Sequence, residues 1–162
     1  MKNRKLLNSE LNRLTPQEFE TVEKLRITLV LDNVRSAHNI GSAFRTSDAF
    51  CIEKIILCGI SSTPPSAEIH KTALGAENSM SWEYFEKTET AISILHERQY
   101  RTIAIEQAEN SILLNDFLPY RTLKYALVFG NEVKGVQQNI VDMCNDCIEI
   151  PQFGTKHSLN VS

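Results

Sequence analysis

The residues best equipped for chemistry fall in three segments. The first runs Asp32-Asn33-Val34-Arg35-Ser36-Ala37-His38-Asn39-Ile40-Gly41 and continues through Phe44-Arg45-Thr46-Ser47-Asp48. Arg35 and Arg45, with Asn33, flank a helix expected to begin at Asn39. Guanidinium groups beside a helix N-terminus suit a phosphate, since the fixed donor fork and the dipole both favour an anion. On that helix Ile40, Ala43, Phe44, Ser47 and Phe50 are expected to face the core, while Gly41, Arg45 and Asp48 share the other side. The plainer reading of Arg45 is an exposed cation paired with Asp48. The second segment is Phe129-Gly130-Asn131-Glu132-Val133-Lys134-Gly135-Val136. Gly130 at a strand end would let a ligand approach the backbone, and Asn131 or Glu132 would cap a helix or place an acid in its first turn. The third segment is Ile150-Pro151-Gln152-Phe153-Gly154-Thr155-Lys156-His157-Ser158-Leu159-Asn160-Val161-Ser162, in which Ser158 or Asn160 would cap a following helix.

Other chemistries are poorly supported. The six glycines stand at 41, 59, 75, 130, 135 and 154, so neither GxGxxG nor GxxxxGK[ST] occurs, and a nucleotide-type cofactor has to be held some other way. Cys144-Asn145-Asp146-Cys147 follows a helix and enters a strand, the reverse of the setting that stabilises a redox thiolate. Zinc would need four ligands, and there is no second CxxC and no HxxxH, so no metal is expected. His38, His70 and His157 have no evident Ser or Asp partner for a triad, which leaves hydrogen-bonding or capping roles.

The elements that must position these segments are short apolar strands near 27–32, 54–58, 82–85, 101–105, 124–129 and 147–150, alternating with helices near 39–50, 67–76, 88–98 and 132–143. That alternation predicts an α/β class: a mostly parallel sheet with helices on both faces, and ligands beyond the carboxyl ends of the strands. Two helices are expected ahead of the first strand. Leu6, Leu7, Leu11 and Leu14 recur at helical spacing, and Thr15-Pro16-Gln17-Glu18 carries a capping box with proline at the first helical position. A length of 162 residues, 42% of them hydrophobic, fits one domain with a real core. Net charge is only -3, yet residues 1–50 carry eight basic and six acidic side chains against nine and fourteen in the remainder, so the first third is the basic end. No apolar run is long enough to cross a membrane and the first ten residues are polar, so the expected location is the cytoplasm, with the four cysteines reduced.

Taken together, the three segments resemble the signature motifs of the TrmH/SpoU RNA 2′-O-ribose methyltransferases of the SPOUT superfamily. The first resembles that family's Asn-Val-Arg, Asn-Ile-Gly, Phe-Arg-Thr and Asp-Ala-Phe, the second its Val-Phe-Gly-Asn-Glu and glycine, and the third its Ile-Pro, Gly and Ser-Leu-Asn-Val-Ser. Departures are Ser36-Ala37-His38 in place of the frequent Asp-Pro, and Lys134 where an acidic or small residue is commoner.

The resemblance implies a methyltransferase domain over 27–162 with a trefoil knot, preceded by a helical extension over 1–26. It implies transfer of a methyl group from S-adenosylmethionine to a ribose 2′-hydroxyl of tRNA or rRNA by a homodimer. Gly130, Ile150 and Leu159 would hold the cofactor through main-chain groups, with Glu106 a further candidate. Arg45 would be the catalytic residue and reach toward the partner's cofactor. Asn33, Glu132, Ser158 and Asn160 would shape the pocket and position the ribose, and Arg35, His38 and Arg45 would contact RNA. Lys2, Arg4, Lys5, Arg13, Lys24 and Arg26 make the extension either a solvated helical face or an RNA-contacting arm. The family continues beyond the third motif into a C-terminal helix, so the chain is expected to lack that helix and to bind cofactor weakly as it stands. A non-catalytic RNA-binding protein of the same fold is the alternative reading.

Overall fold

Runs of β-branched and aliphatic residues build the sheet, where stiff side chains pack well on a pleated surface. In the computed structural model, which describes residues 3–155 and 158–162, the strands are β1 (Leu25–Asp32), β2 (Ile52–Cys58), β3 (Trp82–Phe85), β4 (Tyr100–Ile105), β5 (Ile112–Leu113), β6 (Lys124–Phe129) and β7 (Asp146–Glu149). Every pairing is parallel and the order is β3-β2-β1-β6-β4-β7-β5. The α/β architecture read from the sequence is therefore present. Only β5 was not anticipated, because two residues carry no periodic signal.

Alternation along β1 sorts the core into two layers. Leu29 and Leu31 join Ile55, Leu57, Ile40, Phe44 and Ile69 under α2 (Ala37–Ala49), α3 (Ala67–Ala73) and α4 (Ala76–Ser79). Val30 points the other way and joins Ile56, Ala104, Val128, Ile92 and Ile140 beneath α5 (Thr88–Glu97) and α6 (Gln138–Met143). Helices thus cover both faces.

Ahead of β1 the capping box forms as read and starts α1 (Pro16–Thr21): Glu18 N donates to the Thr15 hydroxyl at 3.3 Å, and Thr15 N donates to the Glu18 carboxylate at 2.8 Å. Such a cap contributes about 1 kcal/mol. The helix expected over Leu6 to Leu14 is absent, and only a 3-10 turn at Asn8–Glu10 forms. Leu6, Leu7, Leu11 and Leu14 are exposed, so no packing offsets the nucleation cost of so short a helix. Arg4 is engaged with Glu10 at 2.8 Å, and Lys24 Nζ lies 2.8 Å from the Phe19 ring centroid, while Lys2 falls outside the described residues.

Three helix boundaries differ from expectation. α2 begins at Ala37, capped by Ser36, whose hydroxyl accepts from Asn39 N. The helix expected over 67–76 breaks at Leu74 and Gly75, both at positive φ, into α3 and α4. The helix expected from 132 begins only at Gln138, since residues 131–135 close a turn instead.

Candidate active site

The carboxyl ends of β4, β6 and β7 converge, with the C-terminal segment, on a cavity of about 690 Å³. Its floor is the turn after β6. Asn131 and Gly135 exchange both backbone hydrogen bonds, at 3.0 and 2.8 Å, and Asn131 Oδ1 accepts from Val133 N and Lys134 N. Asn131 therefore organises a turn and does not cap a helix, because its short side chain satisfies the amides two and three residues on. A Cβ at Gly130 would stand 2.0 Å from the Gly135 carbonyl carbon and 2.1 Å from Val136 N. The close approach this glycine permits is that of the turn's own return leg, not only of a ligand. Glu106, just past β4, secures that leg: its carboxylate accepts from Val136 N and Gln107 N, both at 2.8 Å.

A second carboxylate ties this turn to the loop after β1. Glu132 accepts from Arg35 N, Ser36 N and Asn39 Nδ2, each at 2.9 Å, across more than ninety residues of chain. Partial burial works to raise the Glu132 pKa, but the backbone donors at Arg35 and Ser36, aided by Asn39, outweigh it and hold the carboxyl below its ordinary 4.5. Glu132 thus sits at the start of α2, where a negative charge also suits the helix dipole.

Asn33 is at positive φ and serves the same loop. Its Nδ2 donates to Asp32 Oδ1 at 2.8 Å, its Oδ1 accepts from Ile60 N, and its backbone oxygen accepts from Asn131 Nδ2 at 2.8 Å. Asp32, fully buried at the end of β1, also accepts from the Thr88 hydroxyl at 2.5 Å, and so joins the β1 loop to the start of α5.

Of the residues expected at the site, Glu106, Gly130, Glu132, Ile150, Ser158, Leu159 and Asn160 all line this one cavity. Asn33, Arg35, His38 and Arg45 are not among its lining residues. His38 Nε2 faces Glu68 on α3 at 3.2 Å, and Arg35 is exposed. Arg45 is exposed on α2, and among the described residues its side chain has no ion pair or hydrogen bond. The pairing with Asp48 is not found: Asp48 Oδ2 instead accepts from the Ser79 hydroxyl at 2.9 Å. Two other expectations for α2 fail. Phe50 is exposed because it lies past the helix end, and Gly41 is buried against α3. Asn160 caps no helix among the described residues, and its Oδ1 accepts from Ser162 N. Lys156 and His157 lie outside the described residues.

Asn39, Gln107 and Gln152 also line the cavity and were not singled out. Asn39 carried a signal, its place in the first motif, whereas the two glutamines become visible only when the strand ends meet. The CxxC is chemically quiet, since burial pushes the Cys144 thiol up to about 11 and raises that of Cys147. Among the described residues no group of three or more His, Cys, Asp or Glu is placed to hold a metal ion. Nor is any described helix long and apolar enough to cross a membrane.

Fold and site together define a parallel α/β domain with a cavity lined by loop residues at the carboxyl ends of its strands. Residues 26–162 match the SpoU rRNA Methylase family, and the chain belongs to that family. It is 30% identical over 146 residues to the 23S rRNA (guanosine-2′-O-)-methyltransferase RlmB of Neisseria meningitidis, a match covering 89% of this chain and 56% of that protein. It is also 30% identical over 148 residues to the tRNA (guanosine(18)-2′-O)-methyltransferase of Aquifex aeolicus, covering 88% of this chain and 67% of that protein. Among solved structures, an AdoMet-bound rRNA methyltransferase from Sinorhizobium meliloti aligns with a TM-score of 0.77 at 26% identity, over 86% of this chain and 55% of that one. The chain spans little more than half the length of several curated relatives it matches.

Proposed function

We propose that this domain transfers a methyl group from S-adenosylmethionine to the 2′-hydroxyl of a ribose in tRNA or rRNA. The observation that carries the reading is the cavity at the ends of β4, β6 and β7, which gathers seven of the residues implied by the family resemblance. Its construction suits the cofactor. Ile105, Ile150 and Leu159 offer apolar surface, the Gly130 turn offers backbone, and the two lining carboxylates are tied to N–H groups of the surrounding loops. Gly130, Ile150 and Leu159 would hold S-adenosylmethionine, with Glu106 fixing the turn beneath it. When bound, the cofactor supplies an electrophilic methyl group on a sulfonium.

The task left to the protein is to hold the ribose and to stabilise charge as its hydroxyl loses a proton. A guanidinium group carries five N–H donors and no acceptor, so Arg45 is a poor base and a good anion ligand. It binds the adjacent phosphate and stabilises negative charge developing on the ribose oxygen, while the proton passes to that phosphate or to solvent. Arg45 does not line the cavity of its own chain; as the family resemblance implies, it would serve the cavity of a second copy in a homodimer. Asn33 and Glu132 position the loop that carries Arg35 and starts α2, and Ser158 and Asn160 close the pocket. The basic residues of the N-terminal extension add RNA contacts whose strength falls with salt. Calorimetric titration of the full-length protein with S-adenosylmethionine tests the reading. Saturable binding at one site per chain, weakened by Gly130→Ala, is expected; a protein that binds RNA but shows no heat with the cofactor would be the non-catalytic relative.

A further inference from the structure

A second cavity of about 690 Å³ lies apart from the first, lined by Pro64, Pro65, His70, Glu77, Asn78 and Trp82 among others. We infer that it takes an unpaired nucleobase of the RNA substrate, outside the methylated nucleotide. The inference rests on the RNA reading above.

The lining is suited to a flat, neutral, hydrogen-bonding group. Trp82 is the only tryptophan in the sequence and is half-buried against the core layer beneath α2 to α4, which fixes its ring. Pro64 and Pro65 bring apolar ring surface and no N–H. His70 is held by Glu77, whose Oε1 lies 2.5 Å from His70 Nδ1 while its Oε2 accepts from Gly75 N at 3.0 Å. That carboxylate is only 8% exposed, whereas His70 is 65% exposed. Among the described residues, His70 Nε2 and the Asn78 side-chain amide have no hydrogen-bond partner. No lysine or arginine lines the cavity, and its one carboxylate is already engaged, so a phosphate is poorly served there. An aromatic ring with free polar atoms beside it is how proteins hold splayed-out bases, by stacking and by contacts to the base edge.

The cavity is also fixed relative to the helix that carries Arg45. At Gly41 a Cβ would stand 2.3 Å from Ile69 O and 2.2 Å from Thr72 Oγ1, so α2 and α3 meet backbone to backbone. Thr72 Oγ1 then donates to His38 O at 2.8 Å. A base bound beside α3 is thereby held at a set distance from the ribose that Arg45 serves, which would let the domain choose among RNAs without reading the methylated base.

The test uses the full-length protein and a labelled single-stranded oligoribonucleotide. Anisotropy of the label reports RNA binding, and Trp82 fluorescence reports occupancy of the cavity. Saturable quenching that tracks anisotropy is expected, with affinity about tenfold weaker in His70→Ala and in Trp82→Leu. Because Trp82 also packs on the core, His70→Ala, altered at an exposed side chain, carries the result if Trp82→Leu does not fold. RNA binding with no quenching and with wild-type affinity in His70→Ala overturns this inference and leaves the methyltransferase reading standing. Failure to bind RNA at all, with S-adenosylmethionine still titrating, overturns both.

Discussion

Two cavities of similar size lie in this domain, and they are built in opposite ways. The one at the ends of β4, β6 and β7 is a backbone construction: a turn closed by Asn131 and Gly135, with Glu106 and Glu132 engaged with amides. The one beside α3 is made of side chains, namely Trp82, His70, Asn78 and two prolines. Each is therefore vulnerable in its own way. A backbone site fails when its turn is disturbed and tolerates trimming of what lines it, whereas a side-chain site fails when a single ring is removed.

The largest effect is expected from a residue outside both cavities. Arg45→Ala should lower methyl transfer by about a hundredfold or more while cofactor affinity, read by calorimetry, stays unchanged. Arg45→Lys should recover little, since a point charge does not replace a bidentate fork; near-normal turnover with lysine would contradict that role. Next comes Gly130→Ala. Its new methyl group meets backbone, so about 1–3 kcal/mol of stability and at least tenfold in cofactor affinity should be lost. Thermal unfolding and calorimetry check both.

Glu132→Ala should come third, reducing turnover about tenfold by freeing the Arg35 loop from the β6 turn. Its pH signature follows from the sign of the shift. With the folded pKa depressed, the tie is complete above the ordinary 4.5 and is lost as pH falls through the folded value. The wild-type protein should therefore lose stability on acidification below pH 4.5, and Glu132→Ala should lose less over that window, as measured by urea unfolding. Leu159→Ala should weaken the cofactor only a few-fold. If it costs more affinity than Gly130→Ala, the contrast between the two cavities breaks. The smallest effect belongs to the CxxC: Cys147→Ser should leave methyl transfer unchanged, and alkylation of Cys144 at neutral pH should be slow, checked by mass spectrometry, because burial has pushed that thiol up to about 11.

The same contrast explains what could be read from the sequence. Strands β1, β2, β4 and β6 announce themselves through continuous apolar runs, and the Thr15 box through four residues of local chemistry. The second and third motifs lie along the first cavity, whereas of the first motif only Asn39 reaches it. Asn131 and Glu132 look like helix caps in isolation, and nothing local shows that Glu132 bonds a loop more than ninety residues away. The Leu6 to Leu14 stripe has the right period but no surface to pack on, which periodicity cannot reveal. The second cavity left no mark at all in the sequence, because Trp82 lies in an ordinary short strand and His70 in an ordinary helix. They become a site only through the break at Leu74 and Gly75 that returns Glu77 to His70.

Methylation of ribose by the cavity at the ends of β4, β6 and β7 acting with Arg45 can be measured by incubating the full-length protein with S-adenosylmethionine and RNA from cells lacking it, then mapping 2′-O-methylated nucleotides by mass spectrometry. A discrete new 2′-O-methyl site that Arg45→Ala does not produce is expected. No new site from a protein that binds both cofactor and RNA, or the same site made equally well by Arg45→Ala, would contradict it.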